Sequence, residues 1–525
     1  MKKPLLCLMT VLSFCASNLY AQEDSIPRFE IRRYVLEGNT ILPADRVTEL
    51  LAGHTGKDRD FGDIQRTIES IEEAYRKNGY TMITVILPEQ ELTGGEVRLK
   101  VLEPRVKEIQ IEGNKYFSAD NILASLPTLT RGEIPRIATI SENLKAANEN
   151  PFRKVTLQFT ALENPEELKA LLQVKDQETW RVSLDADNTG TRESGYYRVG
   201  ASLQYGNLFD RDHIAVLQYI TSPDHIDKVN TISGSYRIPI YRLGDTVDFF
   251  AAYSNVDSGT TQVSGTDLAI KGKGIITGFR YNLGLPRSGD YEQKLAMGVD
   301  YRLYENSAVL QGTDLAPDVV AHPFSVTYSG TIQKSLLTVD FYGGVLHNEP
   351  WGGQGQQSDF NAVRTDAAAD YWIFRYGVNT IVKLPSDWML RVGGTGQYTA
   401  DRLIPGEQFG LGGSTSVRGY DEREESWDAG FSGSTELYSP DIAGYLKLPA
   451  GQLRLLAFFD GGTGYNLRPQ SGELDGNTLT SVGTGLRYTI GETLSFSLDW
   501  GHALDDSIKT RTGNNAVHFK AQYNF

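Results

Sequence analysis

Cysteine is all but missing from this chain of 525 residues: Cys7 and Cys15 are its two, both near the start. From residue 16 onward no disulfide, thiolate metal site or cysteine nucleophile is available. The seven histidines are scattered and form no His-Glu-x-x-His pair. A Gly-x-Ser-x-Gly elbow and a Walker phosphate loop are absent too, so no motif pairs a nucleophile with a base or cradles a nucleotide. The sequence points away from an enzyme, and no cofactor and no metal are expected. Basic residues are outnumbered, 51 Lys and Arg against 66 Asp and Glu. That balance argues against nucleic acid, which wants a basic stripe, and suits soluble exposed loops. The cluster Asp421-Glu422-Arg423-Glu424-Glu425 reads as solvated loop charge of this kind. Long apolar runs are lacking as well. Leu5 to Ala16 is such a run, but it falls short of the roughly 20 residues a membrane-spanning helix needs.

That run belongs to a secretory signal at 1–21, with Lys2 and Lys3 as its charged start and Ala21 as the small residue before the cut. Leu19 fits poorly three places before that cut, so neighbouring sites stay open. Phe14 stands where lipidation of Cys15 would want a small residue. Losing Lys2 and Lys3 takes the formal charge from −15 to −17. What the chain has in abundance is glycine (53), tyrosine (27) and phenylalanine (21). Gly-rich, aromatic-rich strands too mixed in polarity for hydropathy to detect are characteristic of transmembrane barrels. At ~100–200 residues per domain, the length allows two or three domains.

A repeat organises the N-terminal part. Glu37-Gly38-Asn39 recurs as Glu112-Gly113-Asn114, and the register continues: Leu42 matches Phe117, Ala44-Asp45 matches Ala119-Asp120, Leu51 matches Leu126. Each copy reads strand, helix, helix, strand, strand, over 28–103 and 104–176. In the first, Ile31 to Leu36 is a strand and Ala44 to Ala52 a short helix. Asp60 caps a longer helix with Ile64, Ile68, Ile71 and Tyr75 on one face, ended by Asn78-Gly79. Strands Thr81 to Leu87 and Val97 to Leu102 follow. In the second copy Ser118 is a cap, Ile137, Ile140, Leu144 and Ala147 form a helical stripe, and strands start near Val155 and Leu168. These apolar residues are core. The free margins of a three-stranded sheet are where an extended polypeptide can add a strand.

From about Thr179 to Phe525 the period is two. Tyr197, Val199, Ala201, Leu203 and Tyr205 alternate with polar and small residues, as do Leu295, Met297, Val299, Tyr301 and Leu303, and Leu494, Phe496, Leu498 and Trp500. One face suits lipid, the other a wet lumen. At ~9–11 residues per spanning strand this part allows about 16 strands, though 14 or 18 fit the composition as well. The chain stops on one more alternating strand, Val517, Phe519, Ala521, Tyr523, Phe525.

The duplicated unit resembles the polypeptide-transport-associated (POTRA) domain. Two copies after a signal peptide, ahead of a barrel, resemble the outer-membrane transporters of two-partner secretion (TpsB), the haemolysin-activator and haemagglutinin-exporter type of the POTRA-barrel superfamily. The resemblance covers essentially the whole mature chain. It implies two α+β POTRA domains followed by an all-β transmembrane barrel of 16 antiparallel strands at 177–525. The loop at 400–433 resembles the superfamily's sixth extracellular loop, folded into the lumen. Its tip is Val417-Arg418-Gly419-Tyr420, and Phe458-x-Asp460-x-Gly462 is similar to the partner motif on the inner wall. By the alternation Phe458 and Asp460 face the lumen while Phe459 faces lipid, so Arg418 can meet Asp460. Deleting one partner of a buried pair costs ~3–5 kcal/mol, less in a water-filled lumen. Phe519, Tyr523 and Phe525 resemble the C-terminal signal by which outer-membrane barrels are recognised for insertion. Family members often carry an N-terminal plug helix; Gln22 to Pro27 is too short for one, so none is expected.

The resemblance implies a location in the outer membrane of a Gram-negative bacterium, with the POTRA domains in the periplasm. The partners it implies are an unfolded TpsA-type exoprotein bound through its N-terminal secretion domain, outer-membrane lipid and the barrel assembly machinery. An assembly factor for other barrels generally carries more POTRA copies, often five. A passive porin-like barrel needs no duplicated edge-presenting domain.

Overall fold

A computed structural model describes residues 27–525 apart from 93, 192–193, 257–259, 263–268, 272, 306–308, 311–312, 315–316 and 449. The signal segment read at 1–21 lies outside the described residues. The chain forms two compact units. One holds the first α+β domain with segments 131–138 and 161–169, and the other holds the rest of the second α+β domain with the barrel.

In the first domain Asp60 caps the helix Phe61–Lys77. Its carboxylate accepts from the Asp63 N–H while Asp63 accepts from the Asp60 N–H, each at 3.0 Å, a reciprocal capping box. Ile64, Ile68, Ile71 and Tyr75 lie buried along one face. They pack on a sheet in which Arg33–Glu37 runs parallel to Glu96–Leu102, and Thr84–Ile86 antiparallel to it. The strand expected over Ile31 to Leu36 is broken at Arg32. The N–H groups of Arg32 and Arg33 both donate to the Gly95 carbonyl (2.7 and 3.2 Å), and Phe29–Ile31 turns away to pair with Gly56–Arg59.

The second domain repeats the three-stranded order, with Glu167–Asp176 between Arg105–Glu112 and Arg153–Ala161. The shared Glu-Gly-Asn has one physical cause in both copies. Gly38 (φ +82°) and Gly113 (φ +85°) pass so close to the central strand that a Cβ would stand 2.5 Å from the Val101 carbonyl oxygen and 2.3 Å from that of Val174. Asn39 and Asn114 then staple the following turn, each amide donating at 2.9 Å to the carbonyl of Leu42 and of Phe117.

Sixteen antiparallel strands close into a barrel. They are β1 Trp180–Asp187, β2 Arg198–Leu208, β3 His213–Thr221, β4 Asn230–Ile240, β5 Asp245–Ser254, β6 Gly274–Ser288 and β7 Tyr291–Tyr304. β8 is Val319–Ala321 continued by Pro323–Gln333, interrupted where the His322 N–H turns to the Asn348 side chain. Then come β9 Leu337–Asn348, β10 Tyr371–Lys383, β11 Met389–Tyr398, β12 Ala429–Tyr438, β13 Gln452–Tyr465, β14 Gly476–Ile490, β15 Leu494–Ala503 and β16 Asn515–Asn524. β16 closes on β1. Alternation sorts the side chains: Val199, Leu203, Tyr205, Met297, Val299, Tyr301, Leu498, Trp500, Val517 and Tyr523 all point outward and exposed.

The second domain is fastened to the β2–β3 and β4–β5 turns of the barrel through a buried network. Arg153 donates to Asp212 at 2.5 Å and to Asn121 at 2.5 Å, and the Tyr241 hydroxyl donates to Asp212 at 2.6 Å. Phe117 lies under the Arg153 guanidinium, 4.9 Å from ring centre to carbon. Phe152 fills the space beside Gly206, where a Cβ would come within 2.0 Å of its ring. Burial and the neighbouring Asp212 carboxylate push the Tyr241 hydroxyl well above its ordinary pKa, so it acts here as a donor.

Candidate functional site

Between β11 and β12 the chain leaves the wall for residues 399–428 and folds into the lumen. The segment is shorter than the expected 400–433 because Gly430 to Gly433 remain paired to both neighbours and Ala429 to β13. On the inner face Gly430, and Gly462 beside it, lack side chains where the loop packs. A Cβ on Gly430 would meet the Phe409 ring at 2.6 Å, and one on Gly462 would meet Leu411 at 2.4 Å. Phe409–Leu411 and Glu425–Trp427 pair as a small hairpin. Leu411, Val417, Tyr420, Trp427, Leu479 and Ala503 form an apolar cluster between hairpin and wall.

At the hairpin tip Arg418 meets Asp460. Its Nε donates to Oδ2 at 2.7 Å and its Nη2 to Oδ1 at 2.8 Å, the two-pronged fork a guanidinium and carboxylate favour. The Arg418 backbone N–H adds a third bond to Oδ2 at 3.1 Å, and the Ser434 hydroxyl a fourth to Oδ1 at 2.6 Å. Asp460 is fully buried. The guanidinium lies flat on the Phe458 ring, 3.5 Å from its centre, an added cation–π attraction. Glu436 and Asp499 stand at 2.8 and 3.6 Å from the same group.

The rest of the motif serves this seat. Gly419 takes φ +98°, and its N–H donates to the His518 ring at 3.2 Å. The wall opposite is also glycine: a Cβ on Gly501 would come within 2.6 Å of the Gly419 nitrogen. The Tyr420 hydroxyl lies 3.0 Å from the carbonyls of Thr480 and Asp505. Val417 is fully buried. Thus Val417, Arg418, Gly419, Tyr420, Phe458, Asp460 and Gly462 lie together. The C-terminal residues lie apart from them: Tyr523 and Phe525 are exposed on the outer face with rings 4.8 Å apart, and Phe519 donates its N–H to Asn188.

Sequence reading missed much of the surrounding charge. Alternation along β12 would have put Ser434 and Glu436 on the inner face with Asp460. The acidic stretch 421–425 is not solvated charge. Glu424 accepts from the N–H groups of Lys509 and Thr510 (2.8 and 2.6 Å), and buried Glu425 from Asn477 and Ser507 (2.7 and 2.9 Å). These partners come from the β15–β16 connection and β14, too far along the chain for local patterns to reveal. Among the described residues no group of three or more His, Cys, Asp or Glu is placed to hold a metal ion. The bore beside the loop keeps a cavity of about 1150 Å³, lined by Arg237, Arg280, Arg302, Arg375, Arg391 and Arg487 with small polar residues.

The family model described as haemolysin secretion/activation protein ShlB/FhaC/HecB matches residues 169–488, and that of the ShlB-type POTRA domain matches 29–104. The chain is 22% identical to the heme/hemopexin transporter protein HuxB of Haemophilus influenzae strain 86-028NP, over 93% of this chain and 86% of that one. It is 24% identical to the outer membrane transporter CdiB of Dickeya dadantii, over 90% and 84%. The solved structure of CdiB from Escherichia coli superposes with a TM-score of 0.77 at 20% identity, covering 97% of this chain and 93% of that one. That of BamA from Haemophilus ducreyi lacking POTRA domains 1–3 superposes at 0.52 and 14%, covering 95% and 100%. The family match extends from the last strand of the second α+β domain into β14, past β13 where Asp460 receives Arg418, and this chain belongs to the haemolysin secretion/activation family of outer-membrane transporters.

Proposed function

We propose that this protein takes the N-terminal secretion domain of a large TpsA-type exoprotein on its two periplasmic POTRA domains and exports the chain unfolded through the barrel. The observation that carries the reading is the content of the bore. A packed interior would seal it; instead one tethered loop lies beside a polar cavity. Arg418 and Asp460 serve as the latch that holds that loop. The outer POTRA strands Thr84–Ile86 and Arg153–Ala161 each end their three-stranded sheet; Glu72 takes the Val85 N–H and Asn148 both backbone groups of Val155, so the stretch of Arg153–Ala161 beyond Val155 is the edge for an incoming strand. Phe519, Tyr523 and Phe525 serve as the strand the barrel assembly machinery reads. With no ATP or gradient at that membrane, folding of the client outside supplies direction.

Deleting Arg28–Asp176 tests this reading. The barrel should still insert and pass current in planar bilayers while export of the partner exoprotein stops. Undiminished export would reduce the protein to a porin-like barrel and refute the proposal.

A further inference from the structure

Upstream of Arg418 on the same loop, Glu407 is fully buried. Both its oxygens are used. Arg302 Nη1 donates to them at 2.8 and 3.0 Å, the Tyr304 hydroxyl donates to Oε1 at 2.7 Å, and Arg375 Nη2 donates to Oε2 at 3.2 Å. Arg302 is itself fixed by Asp300, through Nη2 at 2.7 Å and Nε at 3.3 Å, and Asp300 is gripped in turn by Arg280. The backbone comes close as well: a Cβ on Gly406 would lie 2.3 Å from the Tyr304 ring. Gln397, at the end of β11, donates to the Glu407 carbonyl at 3.0 Å and to the Asp428 carbonyl at 3.1 Å, clipping both limbs of the loop together. Its side-chain oxygen accepts from Arg375 at 2.9 Å.

The position of this cluster on the ring of strands decides what it can do. Glu407 is held from β7 and β10, while Arg418 is held from β12, β13 and β15. In a closed ring of sixteen, β7 stands six strands from β13 and opposite β15, and β10 stands two strands from β12. A carboxylate removed from water must be compensated by charge and donors, and here that compensation comes from Arg302 and Tyr304 on β7 and Arg375 on β10. We infer that Glu407 is a second anchor, independent of Arg418–Asp460, and that the loop is a strap tied to two separate arcs of the wall. Clearing the path for a client then requires both ties to open. Loss of the Arg418 tie alone unseats the tip but leaves the strap across the lumen.

This rests on the transporter reading above, and the test separates the two. Single-channel currents of the full-length protein are recorded in planar bilayers for the parent, Glu407→Gln, Arg418→Ala and the double variant. Heat-modifiable electrophoretic mobility first establishes that each is a folded barrel. Each single change should raise the time spent in the large-conductance state by about 10-fold or more, and the double change by about the product of the two singles, as independent ties require. If Arg418→Ala alone opens the channel as far as the double variant, or if Glu407→Gln adds nothing in that background, the second anchor is refuted and the transporter reading stands. Absence of current from all four would overturn the transporter reading, and the anchor with it. Should Glu407→Gln not fold, Arg375→Gln strips one donor from the same carboxylate and is read by the same criteria.

Discussion

The latch at the loop tip is electrostatically lopsided, and that makes its two halves unequal under mutation. Arg418→Met removes the one cation that forks Asp460. Glu436 keeps Arg391 at 3.1 Å and Asp499 keeps Arg487 at 2.7 Å, but Asp460 is left fully buried with only the Ser434 hydroxyl and one backbone N–H. Stranding a buried carboxylate costs ~3–5 kcal/mol. Asp460→Asn is milder. Arg418 retains Glu436 at 2.8 Å and Asp499 at 3.6 Å, and the amide oxygen can accept from the Arg418 backbone N–H while its NH2 donates to the Ser434 hydroxyl. The loss is that of charge-assisted hydrogen bonds, ~1.5–3 kcal/mol. The seated tip should therefore open roughly 10- to 100-fold more often in Asp460→Asn, and about another tenfold more in Arg418→Met. Val417 is fully buried only while the tip is seated, and the chain beyond residue 15 has no cysteine. Maleimide labelling of Val417→Cys in each background reads the opening directly, since the rate follows the open fraction when reclosure is fast. Equal effects of the two changes, or a larger effect of Asp460→Asn, would refute the charge argument.

Gly501→Ala places a Cβ against the Gly419 backbone; export should fall sharply while heat-modifiable mobility still reports a closed barrel. Arg153→Met leaves Asp212 buried without its cation, a loss of ~3–5 kcal/mol, and hydrogen exchange over 206–212 should accelerate accordingly. In the first POTRA domain, hydrogen bonds from the Arg66 side chain and the Asp60 backbone hold Asp63 down to about 2 from an ordinary 3.8. A depressed carboxylate stabilises the fold above its unfolded pKa and loses that contribution as pH falls through its folded one. Protection of helix 61–77 should therefore drop between pH of about 4 and about 2, once intrinsic exchange rates are corrected, and Asp63→Asn should abolish that dependence.

Local signals carried the parts of this fold that local chemistry determines. Asp60 caps its helix and Gly79 (φ +87°) follows its end because cap geometry is satisfied within a few residues. The period of two placed Phe458 and Asp460 on one face and Phe459 on the other because a strand leaves no other choice. What stayed hidden depends on partners far along the chain. Arg32 breaks its strand only because the Gly95 carbonyl competes for its N–H. Ala429 to Gly433 fall inside the loop expected at 400–433, yet they are strand, with Gly430 left bare where the hairpin's Phe409 lies on it. Glu407 carries no motif at all; its meaning comes from Arg302 and Arg375, which only barrel closure brings to it.

Passage of a client through the lumen is tested most directly by trapping one in transit. A photo-crosslinking residue at Thr327 faces the bore, and one at Val326 faces lipid, 48% exposed. With an exoprotein stalled by a tightly folded C-terminal fusion, crosslinks to the client should form from Thr327 and not from Val326. Crosslinks from neither position, or from Val326 alone, would contradict export through the barrel.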